Sequence, residues 1–299
     1  MEELVFHIGL HKTGTTWLQK GLFIEHPDIH LVTDYRNPWD DAFLKYLIGT
    51  TDRKFDIRHC RKILQKKLTD NQPDSKRIYL VSAERLSGHP YSGGYDTFKL
   101  SDRIHSCFPE SRIIFTIRNQ VDMILSVYKQ LVQEGYRGTL SELIRSKHWK
   151  GVTFTLDMYE YDLIIEKYYS LFSSDRVLVL LYEDLKKDPA RFLQMITNFM
   201  DISPFVPSSL INITHKSVKD FDIVIMRILN HFQKSELNPF PVLKLNQKPV
   251  KVLRYILAVL PDRITILNKK DRNHIMEYFK KPNLRLKKFL NYDLSEYVY

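Results

Sequence analysis

Cysteine is nearly absent from this chain: Cys60 and Cys107 are the only two in 299 residues. Two thiols make at most one bridge, which excludes a disulfide-stapled scaffold and a cysteine metal cluster; a reducing cytoplasm is the expected setting. Long apolar runs are missing too. The stretch YILAVL (Tyr255 to Leu260) is far short of the roughly 20 residues a membrane-spanning helix needs. A leader is not expected either, because the first strand pattern begins by about residue 4, with no space for a basic region, an apolar stretch and a cleavage site. Internal repeats, low-complexity tracts and linker-like segments are lacking. With 43% apolar and 27% charged residues the composition is that of an ordinary globular protein. One soluble domain over residues 1–299 is the simplest expectation.

Charge is present, but unevenly. The formal net charge is +10, yet residues Lys219 to Tyr299 hold 16 Lys/Arg against 8 Asp/Glu, so this section carries +8 and the first 218 residues only +2. A basic section of this kind suits an anionic acceptor, an acidic polymer or an anionic membrane surface, and equally a solvated face with no partner. The 17 tyrosines and 17 phenylalanines come without any nucleic-acid-binding signature, so no nucleic acid is expected as a partner.

Apolar runs bounded by turn signals alternate with helical patterns. LVFHIGL (Leu4 to Leu10), RIYLVSA (Arg77 to Ala83), RIIFTI (Arg112 to Ile117) and RVLVLLY (Arg176 to Tyr182) read as strands buried on both faces. FDIRHCRKILQKKL and MYEYDLIIEKYYSLF between them have helical spacing. Helix starts are marked by Asn119 with Asp122, and by Asp188-Pro189. The alternation predicts an α/β fold with a central parallel sheet flanked by helices, and ligands gathered at the carboxyl ends of its strands. After about residue 218 the pattern is helical only, giving a helical, basic C-terminal part.

The first strand leads into G-x-x-x-x-G-T-T, from Gly9 to Thr16. A nucleotide-hydrolysing P-loop has lysine before its final hydroxyl. Here Thr15 takes that place and the lysine stands three positions earlier, as Lys12. The glycines and the strand-to-helix setting still let backbone N–H groups point at a tetrahedral anion. A lysine inside the loop reaches the bridging oxygen of a short anhydride rather than straddling a triphosphate, and the added threonine supplies another hydroxyl. HKTGTTW resembles the 5′-phosphosulfate loop of sulfotransferases that use 3′-phosphoadenosine 5′-phosphosulfate (PAPS). The resemblance implies a P-loop NTPase-like sulfotransferase fold in which Lys12, Thr13, Gly14, Thr15 and Thr16 hold the phosphosulfate without a metal ion. It also implies that Lys12 stabilises charge on the departing phosphate oxygen, and that PAP is released.

A second motif is independent of the first. Arg118 follows the strand ending at Ile117, and Ser126 lies eight residues on, in the next helix. A guanidinium at a strand end and a hydroxyl two turns into a helix can converge on one phosphate. The pair resembles the family's 3′-phosphate motif, with Gln120 standing where that family often has proline. Downstream, YEDL is similar to a family segment whose tyrosine lies near the adenine; Tyr182 is that candidate or a core-edge tyrosine. SLINITHKS (Ser209 to Ser217), with Lys216, is similar to a late loop over the nucleotide, and the last residues, from Asn283 to Tyr299, resemble the ends of bacterial members.

Sulfuryl transfer to a hydroxyl needs a base beside the attacking oxygen and donors for the charge leaving opposite. Small-molecule sulfotransferases place a histidine after the strand that follows the loop; this chain has Glu84 there, similar to carbohydrate-directed and bacterial members. Glu84 is the expected base, or else a structural partner of Arg85. His11 is the next candidate; His7 reads as an interior histidine, and His89 sits in a turn between Gly88 and Pro90. The sequence therefore predicts a PAPS-dependent sulfotransferase acting on a small-molecule or glycan alcohol, with Lys12 and Glu84 catalytic. The rival classes are a P-loop kinase or NTPase, with Asp184 as its magnesium-organising acid, and a non-catalytic binder of polyanions.

Overall fold

The computed structural model describes residues 3–34, 39–70, 78–146, 153–208, 218–235, 237–241, 264–290 and 294. Five strands form one parallel sheet: β1 (Glu3–Gly9), β2 (Ile29–Leu31), β3 (Ile78–Ser82), β4 (Arg112–Ile117) and β5 (Val177–Leu181). Their order is β2-β3-β1-β4-β5, which puts the strand leading into the glycine loop at the centre. The four expected strands all form. The strand that sequence patterning misses is β2, because three residues at a sheet edge carry neither an alternation nor a run.

Strand periodicity assigns side chains to two cores, one on each face of the sheet. Phe6, Ile8, Val81, Ile113 and Phe115 point into the larger one. It is closed by α2 (Ala42–Gly49), α3 (Ile57–Asp70), α4 (Thr97–Cys107), α5 (Gln120–Glu134), α6 (Leu140–Ile144) and α7 (Tyr161–Phe172). Val5, Leu80, Ile114 and Leu180 point the other way. They meet the helix that runs from Thr15 to Leu18 (α1) and continues as a π-helical turn to Phe23, together with α9 (Pro189–Phe199). Burial on both faces is why the strands read as apolar runs rather than alternations.

Asn119 caps α5 by accepting hydrogen bonds from the amides of Val121 and Asp122, and Asp188 caps α9 with Pro189 in its first turn. In the basic section, α10 (Asp220–Leu229) and α11 (Lys269–Leu286) are helical as expected, and Ile275, Phe279 and Leu286 of α11 enter the larger core. Tyr182 opens a short helix, α8 (Tyr182–Lys187), rather than closing β5. Ser209 to Ser217, with Lys216, lies outside the described residues, as does the YILAVL stretch. Among the described residues no helix is long and apolar enough to cross a membrane.

Candidate active site

Four of the five strands lead into a residue singled out in the sequence. The loop follows β1, Glu84 follows β3, Arg118 follows β4 and Tyr182 follows β5. Because β3 and β4 flank β1, Glu84 and Arg118 stand on opposite sides of the loop.

The loop is shaped by three residues with positive φ: Gly9 (82°), Lys12 (65°) and Gly14 (88°). Two of them are glycine for steric as well as conformational reasons. A Cβ on Gly9 would stand 3.0 Å from the Glu84 Cα, and one on Gly14 only 2.7 Å from the Leu185 Cδ2. The backbone is thus pressed against β3's exit on one side and α8 on the other. Lys12 holds the left-handed conformation without glycine's licence, a local cost that accumulates at functional loops. The hydroxyls of buried Thr13 and Thr15 donate to the Leu10 carbonyl, at 2.7 and 3.4 Å, and brace the loop from within. Thr16 is exposed. Among the described residues, the backbone N–H groups of Lys12 to Thr16 donate to no carbonyl or side chain, and the Lys12 ammonium has no partner. Five successive unused amides beside a lysine form a cradle for an anion.

A polar layer supports the cradle from below. His7 is buried in β1, and its Nδ1 lies 2.8 Å from the Ser82 hydroxyl of β3. Gln19 donates to the same hydroxyl at 2.9 Å, and Thr33 donates to the Ser82 carbonyl at 3.1 Å. Burial lowers the His7 pKa to about 4 against the opposing pull of Glu84, so His7 is neutral at neutral pH.

Arg118 reaches into the loop. Its Nη1 donates to the Lys12 carbonyl at 3.1 Å, and its guanidinium carbon stands 4.8 Å from the centre of the Tyr182 ring. The Lys186 ammonium lies at the same distance from that ring. The Arg118 Nε is buried with no described partner. Tyr182 thus stands beside Gly14 and Arg118. Ser126 lies half-buried in the second turn of α5 and makes no hydrogen bond to Arg118.

Gln120, the departure from the expected proline, has its own anchor. Its amide pairs reciprocally with that of Asn283 on α11, at 2.7 and 3.2 Å. Glu183 accepts from the Asn119 amide at 2.9 Å and ties β4's exit to α8. The Tyr161 hydroxyl donates to the Arg118 carbonyl at 2.8 Å. Sequence reasoning missed Asn283, Glu183, Tyr161, Gln19 and Ser82. For Glu183 a signal existed, since it sits inside the YEDL segment.

Glu84 is not paired with Arg85, which turns away to Asp96 at 2.5 Å. Its Oε2 lies 3.1 Å from His11 Nδ1. Burial pushes the Glu84 pKa up, but the hydrogen bond and charge of His11, with the Lys12 ammonium, outweigh burial and hold it below the ordinary carboxylate value. A carboxylate thus stands at the end of β3, next to the loop. Asp184, the acid a phosphoryl-transfer reading requires, lies within α8. Among the described residues no three His, Cys, Asp or Glu side chains converge as a metal site.

Residues 5–207 match the profile of a family described as "Sulfotransferase family". A flavonol 3-sulfotransferase from Flaveria bidentis is 27% identical over 206 residues, 68% of this chain, and the chain spans 58% of the length of that curated relative. A crystal structure of a sulfotransferase from Alicyclobacillus acidocaldarius shares the fold, with a TM-score of 0.62 at 17% identity over 99% of both chains. A mouse sulfotransferase, SULT7A1, solved with PAP, aligns over 100% of this chain and 88% of its own at 15% identity and a TM-score of 0.44.

Proposed function

The chain belongs to the sulfotransferase family, and we propose that it moves a sulfuryl group from PAPS to a hydroxyl acceptor, releasing PAP. The observation that carries this reading is the row of unused amides from Lys12 to Thr16, with Arg118 lying across the loop. PAPS supplies an activated sulfuryl group flanked by phosphate, and the residues present suit it. The loop amides, the Thr16 hydroxyl and the Lys12 ammonium face a terminal anionic group; Arg118, with its spare Nε, and Ser126 suit a 3′-phosphate. Tyr182, half-buried against Arg118, offers a ring face for the base.

The chain's own chemistry is then divided by the sheet. On the β3 side Glu84 takes the proton of the acceptor hydroxyl. On the loop side Lys12 neutralises the negative charge that grows on the departing oxygen. The acceptor in this reading is an alcohol on a carbohydrate, a glycolipid or another small metabolite. The exposed lysines of α11, among them Lys280 and Lys281, and Lys287 and Lys288 just after it, favour an acceptor or surface that is itself negatively charged.

Nucleotide choice tests the reading. PAP is expected to raise the melting temperature, because a ligand of the folded state stabilises it by mass action, and AMP, lacking the 3′-phosphate, to do so much less. Equal shifts from both, or a preference for ATP with magnesium, would return the chain to the kinase class. Arg118→Ala is expected to weaken PAP binding by roughly 1.5–3 kcal/mol, the range for hydrogen bonds to charged groups. Calorimetric titration measures it, and undiminished affinity would remove Arg118 from the phosphate site.

A further inference from the structure

We infer that His11 is the positioning residue of the base, holding Glu84 by one carboxylate oxygen so that the other faces the acceptor. The inference rests on the reading of Glu84 as the base. It begins with what each group leaves free. His11 Nδ1 lies 3.1 Å from Glu84 Oε2. A carboxylate only accepts, so Nδ1 is the protonated nitrogen. Glu84 Oε1 has no partner among the described residues.

Exposure then decides which of the two meets a substrate. The Glu84 side chain is 32% exposed, whereas that of His11 is 15% exposed and its remaining nitrogen, Nε2, is enclosed without a described partner. An enclosed nitrogen is badly placed to receive a proton from an acceptor. A carboxylate open on one side is well placed.

The surroundings give Glu84 little else to fix it. Its backbone is set by the close approach of Gly9 and by the Ser87 hydroxyl, which donates to the Glu84 carbonyl at 2.8 Å. Among the described residues, the side-chain group that holds a carboxylate oxygen of Glu84 is His11. His7 of β1 and Lys12 of the loop act on Glu84, and His89 acts on His11; Arg85, Glu134 and Asp96 act on His89 in turn. His7 is neutral, and Arg85 is engaged by Asp96. Lys12 acts on the carboxylate by charge alone, and neither it nor His89 makes a hydrogen bond or ion pair with Glu84 among the described residues, so His11 is the group that both orients the carboxylate and keeps it ionised. Without it, burial raises the pKa of the base and the free rotor spends less time facing the acceptor.

The experiment compares His11→Ala, His11→Asn and His11→Gln by turnover at saturating PAPS, by PAP affinity, and by pH profile. An asparagine carries an N–H donor where Nδ1 stands; a glutamine carries it further out. His11→Ala is expected to lose turnover roughly 10- to 100-fold, the worth of one hydrogen bond to a charged group. PAP affinity stays unchanged and the acid limb of kcat/KM moves to higher pH. His11→Asn is expected to recover most of the turnover and move the limb back, and His11→Gln to do neither. Should His11→Ala fail to fold, the contrast between asparagine and glutamine decides. Wild-type turnover in His11→Ala, no advantage of asparagine, or an acid limb that stays put would overturn the inference. Wild-type turnover in Glu84→Gln would instead remove the base itself, a separate failure.

Discussion

Glu84→Gln is expected to lose about 10²–10⁴-fold in turnover, the usual worth of a positioned general base. The substitution keeps the shape of the side chain and an oxygen to accept from His11, and removes basicity alone. Glu84 touches none of Arg118, Ser126 or Tyr182, so PAP affinity and the melting temperature are expected to stay close to wild type. Initial rates with labelled donor at saturating concentration make the measurement. The wild-type pH profile is a second check. Because the Glu84 pKa is held below its ordinary value, the base is already ionised at neutral pH. Turnover then stays level as the pH falls from neutral and declines only as it passes through that lowered pKa. Undiminished turnover in the variant would make Glu84 structural.

Lys12→Ala is expected to reduce turnover by roughly 10²–10³-fold, comparable to removing one donor aimed at developing charge. The ammonium of Lys12 has no described partner to lose, and both residues pay a similar cost at its positive φ, so the loop keeps its shape. Part of the lysine's contact strengthens only as the leaving oxygen gains charge. The loss in kcat therefore exceeds the loss in donor affinity. Single-turnover rates at saturating PAPS, set beside the Kd for PAP, separate the two. Unchanged turnover with weakened binding would reduce Lys12 to a binding residue.

Much of this site was legible before any fold was known. Runs such as RIIFTI have no solvent face, so they specify strands buried between two layers of helices, and strands alternating with helices specify a parallel sheet. The loop was legible because its chemistry is local: the glycines, the lysine and the threonines of Gly9 to Thr16 act through backbone geometry set by one another. Arg118 stood out because strand ends are where a parallel sheet collects ligand contacts, and Tyr182 because YEDL resembles a family segment; the ligand roles of both are part of the proposal.

What the sequence could not hold are pairings between distant positions. Whether Glu84 meets Arg85, its neighbour in the chain, or His11 depends on β3 lying beside β1, and the fold chose His11. Gln120 stands where the family often has proline, and its anchor is Asn283 of α11, 163 positions away in the chain. The strand β2 exists only because β3 offers it an edge. Composition and spacing record what a residue does with its nearest neighbours along the chain. Which carboxylate is oriented, and by which imidazole, is decided by packing, because that contact has free energy only once the strands are side by side.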